Sequence, residues 1–75
     1  MADEKPFAEK LAILVHHWHH HNEDHCAEFS KWRQEADRQG MTAILPAMDA
    51  CIAAMEQVNC RLAEIERLAG GGRAG

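Results

Sequence analysis

An apolar repeat restricts the second half of the chain to a helix. From residue 44 to residue 69 the apolar positions alternate in steps of four and three: Ile44, Met48, Cys51, Met55, Val58, Leu62, Ile65 and Ala69. This spacing is that of a heptad seam, and it continues for more than three repeats. Leu45, Ile52 and Asn59 flank the seam. The repeat predicts a long helix that buries one side against another helix.

Proline and glycine set the expected ends of this helix. Thr42 is a natural N-cap, but Pro46 would then fall one residue beyond the tolerant first turn. We therefore predict a start at Thr42 or at Pro46, with a short irregular turn or mild kink near Leu45. The three consecutive glycines at residues 70–72 predict an end at about Ala69 and a flexible tail over residues 70–75.

The first half of the chain predicts a second helix, from about Glu4 to Gln39. Asp3 is the expected N-cap, Pro6 falls inside the first turn, and Gly40 stands where a left-handed C-terminal cap belongs. A stripe of apolar residues and histidines again advances in steps of three and four. It comprises Phe7, Leu11, Leu14, Trp18, His21, His25, Phe29, Trp32 and Ala36.

Two long helices with a linker of about two to six residues predict an antiparallel hairpin, so the fold class is all-α with one domain over residues 1–75. A chain of 75 residues in two helices covers each helix on one side only. So small a core rarely stabilises itself. We therefore expect a homodimer that forms an elongated coiled coil or four-helix bundle, with a monomeric hairpin as the less favoured alternative.

Charge, hydropathy and cysteine content exclude several classes of protein. The net charge of -4 and the absence of a basic cluster argue against nucleic acid as a partner. No run of about 18 apolar residues exists, which argues against a membrane span. Three widely spaced cysteines without a secretion signal suggest reduced thiols and a cytoplasmic protein. Cys26 and Cys51 are expected in the core, and Cys60 is a secondary candidate for a metal ligand.

All six histidines lie in the ten residues from His16 to His25. On a helix, residues four apart lie on one face, about 6 Å apart. Three such pairs result: His16 with His20, His17 with His21, and His21 with His25. The series His17, His21 and His25 spans about 12 Å, so one ion can take a neighbouring pair and further ligands from a second chain.

The position of the series favours a metal site. His21 and His25 fall in the apolar stripe, where neutral imidazoles are costly unless they are hydrogen-bonded or bound to metal. Trp18, one turn away, is predicted to supply an apolar wall and an N–H donor around the ligands. An imidazole-rich set suits Ni²⁺, Cu²⁺, Zn²⁺ or Co²⁺, and the ligands alone do not select among these ions.

The remaining polar residues of the block receive lesser roles. His16 and His20 are predicted to form a second pair or an exposed flank, and His19 to be solvated on the far side of the helix. Three acidic residues are solvated by default, although they could orient an imidazole. They are Glu23, Asp24 and Glu28.

No catalytic set accompanies the histidines, and we predict that the protein is not an enzyme. A zinc-protease helix has glutamate directly after the first histidine of its motif, and Asn22 occupies that position after His21. No glycine-rich phosphate loop is present, and Ser30 stands alone. The alternative to metal delivery is a structural or regulatory coiled-coil module with a zinc site or a histidine pH switch.

The segment from His17 to His25 reads His-Trp-x-x-His-x-x-x-His. This pattern resembles the nickel-binding motif of the CooJ-type nickel chaperones, accessory proteins for the maturation of nickel-containing carbon monoxide dehydrogenase. The resemblance implies that His17, His21 and His25 bind Ni²⁺, with Trp18 as their characteristic neighbour. It also implies a cytoplasmic, dimeric, helical protein that supplies or buffers nickel for a nickel enzyme or its maturation factors. The His/Cys-rich C-terminal region usual in such proteins does not occur in these 75 residues.

Overall fold

The structure is a computed structural model that describes residues 6–74, with side chains described to Gly70. Helix α1 spans Phe7–Arg38 and helix α2 spans Leu45–Ala74, and the 3-10 turn Thr42–Ile44 lies between them. Over the described range the chain contains helices and turns and no strand. The all-α prediction is therefore confirmed.

Helix α1 ends as the sequence predicts, at a glycine cap. Gly40 has a φ of 80°, a left-handed conformation that glycine adopts without a steric cost. Its N–H donates to the carbonyl of Asp37, and the N–H of Met41 donates to the carbonyl of Ala36. These two bonds form a Schellman motif and satisfy carbonyls that the helix end would leave free. The chain therefore reverses at a defined point.

The start of α1 differs from the prediction. Pro6 occupies the N-cap position with a φ of -57° and a ψ of 153°, so it precedes the helix and does not lie inside its first turn. Because proline lacks an N–H and has a fixed φ, it is well placed at this boundary. The expected N-cap, Asp3, and the expected first residue, Glu4, lie outside the described residues.

Helix α2 begins as predicted and ends later than predicted. The 3-10 turn over Thr42–Ile44 provides the irregular turn before Leu45, and Pro46 falls in the first turn of α2, where its missing N–H is tolerated. The helix then continues through the glycines to Ala74, so the expected tail is helical over residues 70–74. A Cβ on Gly70 would lie 3.1 Å from the Cβ of Ala12. Glycine thus permits a close approach of α2 to α1 here.

Polar contacts fix the two helices antiparallel along their length. Near the turn, Arg33 donates from Nε to Asp49 Oδ1 at 2.8 Å and from a terminal nitrogen to Oδ2 at 3.1 Å. At mid-length, the Asn22 amide donates to the Met55 carbonyl at 2.9 Å and to Asn59 Oδ1 at 3.1 Å. The hairpin measures 58 × 21 × 16 Å. The antiparallel arrangement was predicted from the short linker.

The side of α1 that packs against α2 is not the predicted stripe. Val15 and Ala36 are the buried residues of α1, and His19, Asn22 and Cys26 are half-buried beside them. From the predicted stripe, Leu11 and Ala36 join this contact, whereas the bulky members are exposed. The exposed ones are Phe7, Leu14, Trp18, His21, His25, Phe29 and Trp32. Small and polar side chains let the helix axes approach closely, and tryptophan at the contact would hold them apart.

The residues of α2 that contact α1, which we call its contact line, are likewise shifted by one position from the predicted seam. Leu45, Ile52 and Asn59, which the sequence places beside the seam, are half-buried together with four of the predicted members. Those four are Met48, Met55, Leu62 and Ala69. The other four predicted members are exposed. They are Ile44, Cys51, Val58 and Ile65.

The exposed apolar residues of both helices lie on one side of the hairpin. Residues advance about 100° each around a helix, which places the exposed stripe of α1 about 80° to one side of its contact line. The exposed stripe of α2 is displaced by about the same angle, and toward the same side because the helices are antiparallel. We call this surface the open apolar face. It comprises Leu14, Trp18, Phe29, Trp32, Ile44, Val58 and Ile65.

Neither helix is long and apolar enough, within the described range, to cross a membrane.

Candidate metal centre

Helix α1 carries all six histidines in its interior, so the helix repeat alone sets their directions. Five of them are exposed, and His19 is half-buried. The three pairs that are four residues apart differ in how their rings meet. The geometry of each pair decides whether it can hold an ion.

His21 and His25 form the tightest pair. Their ring centroids are 4.4 Å apart with an interplanar angle of 83°, and their Nε2 atoms lie 2.9 Å apart within hydrogen-bond distance. One neutral ring donates through Nε2 and the other accepts. Two nitrogens that share one proton this closely can instead share a metal ion. Both rings are solvent-exposed beside the open apolar face.

His17 does not join this pair. Its ring is nearly parallel to that of His21, with an interplanar angle of 21° and a centroid separation of 6.3 Å. Parallel rings at this distance do not direct nitrogens at a common point. Among the residues that the structure describes, no cluster of three or more histidine, cysteine, aspartate or glutamate side chains could hold a metal ion. The structure thus presents one convergent pair from the predicted series of three.

Trp18 lies on the same side of α1 as this pair. Its side chain is 47% exposed as part of the open apolar face. The predicted role as a wall beside the metal ligands stays a prediction, because a wall forms only when something covers this face.

His16 and His20 form a second pair on another side of α1. Their ring centroids are 4.5 Å apart with an interplanar angle of 79°. His16 Nδ1 lies 2.7 Å from Glu66 Oε2 on α2, and His20 Nδ1 lies 3.4 Å from Glu23 Oε1. The sequence left open whether these histidines form a pair or an exposed flank. In the structure their rings meet and both residues are exposed.

The prediction that His19 is solvated on the far side of the helix is wrong. Its side chain is 22% exposed, and it lines a shallow cavity of about 230 Å³ with Glu56, Asn59, Cys60 and Ala63 of α2. His19 follows Val15 by one turn and therefore shares the side of α1 that packs on α2. In the sequence, the residues beside the heptad seam of α2, which end at Asn59, were the signal that this side of α2 could pack against α1.

The three cysteines are free thiols. Cys26 is half-buried at the helix contact, in line with its predicted core position. Cys51 was expected in the core, but it is exposed because the contact line of α2 passes through Ile52. Cys60 is exposed and belongs to the cavity beside His19, on a different side of the hairpin from the His21–His25 pair.

The fold and these histidines together define a helical-hairpin protein with imidazole pairs on its first helix. The chain belongs to the family described as a domain of unknown function, DUF8180, whose model matches residues 11–69. Neither the curated proteins nor the solved structures contain a significant match. The matched range includes all six histidines and the polar contacts that join α1 to α2.

Proposed function

We propose that this protein is a non-enzymatic nickel-binding metallochaperone that works as a homodimer. His21 and His25 of each chain would bind Ni²⁺ where two hairpins meet. The observation that carries the proposal is the 2.9 Å separation of the two Nε2 atoms. His17 enters through the resemblance to CooJ-type chaperones, and its side chain would have to rotate to reach the same ion.

The separation of the two nitrogens fits a right-angled coordination geometry. Imidazole nitrogens bind zinc at roughly 2.0–2.1 Å, and similar lengths apply to neighbouring ions. Two such bonds at 90° place their nitrogens about 2.9 Å apart, whereas a tetrahedral angle requires about 3.4 Å. Right angles belong to square-planar Ni²⁺ and Cu²⁺ sites and to octahedral sites. The 2.9 Å separation is therefore compatible with such a site, and it is also an ordinary hydrogen-bond distance.

The open apolar face supports a second copy of the chain as the missing partner. The accessible surface is 5675 Å², whereas a folded monomer of 8.4 kDa typically exposes about 4600 Å². The excess of about 1,100 Å² is larger than the roughly 800 Å² that each partner buries in a standard interface, so the hairpin exposes enough surface for such a contact. A two-fold axis on this face pairs the same surface of both copies and brings their imidazole pairs toward each other. Four nitrogens could then surround one ion.

Nitrogen ligands without a thiolate cage suit a protein that releases its metal. Delivery to carbon monoxide dehydrogenase, and the cytoplasmic location, rest on the resemblance of the His-Trp-x-x-His-x-x-x-His segment. This step is testable by transfer of nickel from the loaded protein to the apoenzyme, with free Ni²⁺ at the same concentration as the control.

Calorimetric titration with Ni²⁺ tests the site. His21→Ala removes half of the converging pair and is expected to weaken the strongest Ni²⁺ binding by more than roughly 100-fold, the upper end of the cost of losing an outer-shell partner. The matched control is His19→Gln, which changes a histidine that faces α2 and leaves the His21–His25 pair intact. Unchanged affinity in the His21 variant would contradict the proposed site.

A regulatory coiled-coil module is the second candidate, and the His21–His25 contact favours it as well. The two rings lie beside the open apolar face, so positive charge on them would be desolvated in a dimer and would oppose association at low pH. Sedimentation at pH 5.5 and 7.5 with a chelator separates the two functions. Dimerisation that follows pH without metal, together with no preference for nickel over zinc, would favour the pH-switch module.

A further inference from the structure

Two histidine pairs of the block have similar ring separations and interplanar angles. The His16–His20 rings meet at 4.5 Å and 79°, and the His21–His25 rings meet at 4.4 Å and 83°. The second pair follows the first by five residues. Five residues correspond to about 140° around a helix and about 7.5 Å along its axis. The two pairs therefore face different directions and cannot serve one ion within a chain.

Carboxylates lie beside the Nδ1 atoms of the His16–His20 pair. Glu66 Oε2 is 2.7 Å from His16 Nδ1, and an ionised carboxylate only accepts hydrogen bonds. His16 must therefore donate through Nδ1, which leaves the lone pair of a neutral ring on Nε2. Glu23 Oε1 lies 3.4 Å from His20 Nδ1, near enough for an ion pair with a charged ring, and its other oxygen lies 3.8 Å from His19 Nε2. A carboxylate behind an imidazole is the usual support of a metal-bound histidine, because it fixes the ring and raises its basicity.

This pair also differs from the first in its connection to the fold. Glu66 lies on α2, so the contact with His16 joins the two helices of one chain. The side chains of His16 and His20 are 57% and 60% exposed, so both rings are accessible to solvent and to ions. The site needs no second copy of the protein.

We propose that His16 and His20 form a second site for a divalent first-row metal ion within each chain. The two Nε2 atoms are the protein ligands, Glu66 orients the ring of His16, Glu23 lies beside His20, and water fills the remaining positions. With two protein ligands and no cluster of three in the described residues, the site is open and exchanges its ion readily. Its chemistry fits Ni²⁺, Cu²⁺ or Zn²⁺. The proposal does not depend on the site at His21 and His25.

The test is a calorimetric titration with Ni²⁺ alone on the chain carrying His21→Ala and His25→Ala. We expect one Ni²⁺ per chain to remain bound, and the addition of His16→Ala and His20→Ala to abolish that binding. In the otherwise natural chain, the His16 and His20 changes alone should lower the stoichiometry by one ion per chain. Circular dichroism checks that each variant keeps its helices. We expect the variants to fold, because all four histidine side chains are exposed.

The role of the carboxylate is tested by Glu66→Gln in the same His21 and His25 background. Loss of the oriented partner should weaken Ni²⁺ binding by roughly 10-fold or more. Glu64→Gln is the matched control, since it removes the same charge from α2 but its carboxylate accepts from Arg61. Absence of binding in the His21 and His25 variant would overturn the proposal. So would retained binding after all four histidines are replaced, or equal effects of the Glu66 and Glu64 changes.

Discussion

The amide of Asn22 reaches across the hairpin to Asn59, 3.1 Å away, and this contact determines which way the neighbouring histidines face. His21 precedes Asn22 and is therefore turned about 100° from the direction of α2. His25 follows one turn after His21 and stays with it. The polar contact inside the hairpin thus keeps the His21–His25 pair on the outside.

Asn22→Ala is expected to destabilise the hairpin. The change leaves the half-buried Asn59 amide without its partner, and such a loss costs about 1–3 kcal/mol. Chemical denaturation would measure the decrease in the free energy of unfolding. Gln57→Ala removes an exposed amide from α2 and should change stability by less than about 0.5 kcal/mol. Equal effects of the two changes would show that the asparagine contact does not hold the register.

The helices, their order and the reversal at Gly40 were predictable because they depend on local signals. A heptad repeat, a proline near each helix start and a glycine at a left-handed position act within a few residues. The contact faces were not predictable in the same way. Each helix has apolar residues on two adjacent sides, and hydrophobic spacing does not state which side meets the other helix of the same chain.

The same ambiguity explains what was missed at the candidate site. His19 was expected in solvent because it lies outside the stripe of bulky residues that contains Trp18. In the structure, α1 packs against α2 through a neighbouring side with smaller residues, and His19 lies on that side. The partnership of His16 with Glu66 depends on the register across fifty residues, which no local pattern encodes. The spacing of four places His21 and His25 on one face of the helix, but it does not predict which rings meet, because His17 and His21 have the same spacing and lie 6.3 Å apart.

Trp32→Glu is expected to abolish dimerisation. The Trp32 side chain is 57% exposed on the open apolar face, and a charge at that position would be desolvated if a second copy covered the face. Sedimentation should show the natural chain as a dimer and this variant as a monomer. Ala27→Glu places the same charge on an exposed position about 150° from this face and should remain dimeric. A monomeric natural chain would contradict the assembly.

The pair of Arg33 and Asp49 gives the hairpin a dependence on acid. The hydrogen bond from Arg33 lowers the pKa of Asp49 below its ordinary value of 3.8, and the opposite charge adds to this effect. A lowered pKa in the folded state contributes stability above the unfolded value, and this contribution is lost as the pH falls through the folded pKa. Asp49→Asn should therefore lower the melting temperature at pH 7, and the difference should vanish well below pH 3.8.

The control for this prediction is Asp24→Asn, which removes an equal charge from the exposed surface of α1. Melting curves from pH 7 to pH 2 should show a smaller pH dependence for the Asp49 variant than for this control. If both variants lose stability in parallel with the natural chain, the contact between Arg33 and Asp49 does not contribute.

Added nickel is expected to stabilise the folded protein through His21 and His25. A ligand at one hundred times its dissociation constant stabilises the state that binds it by about 2.7 kcal/mol. For a domain of this size, that corresponds to an increase in melting temperature of about 10–20 °C. His25→Ala should lose most of this increase, because one of the two converging nitrogens is missing. His19→Gln should keep it, and a chelator should reverse it in both the natural chain and that control. An undiminished increase in the His25 variant would place the stabilising ion elsewhere, and would contradict the proposed nickel site.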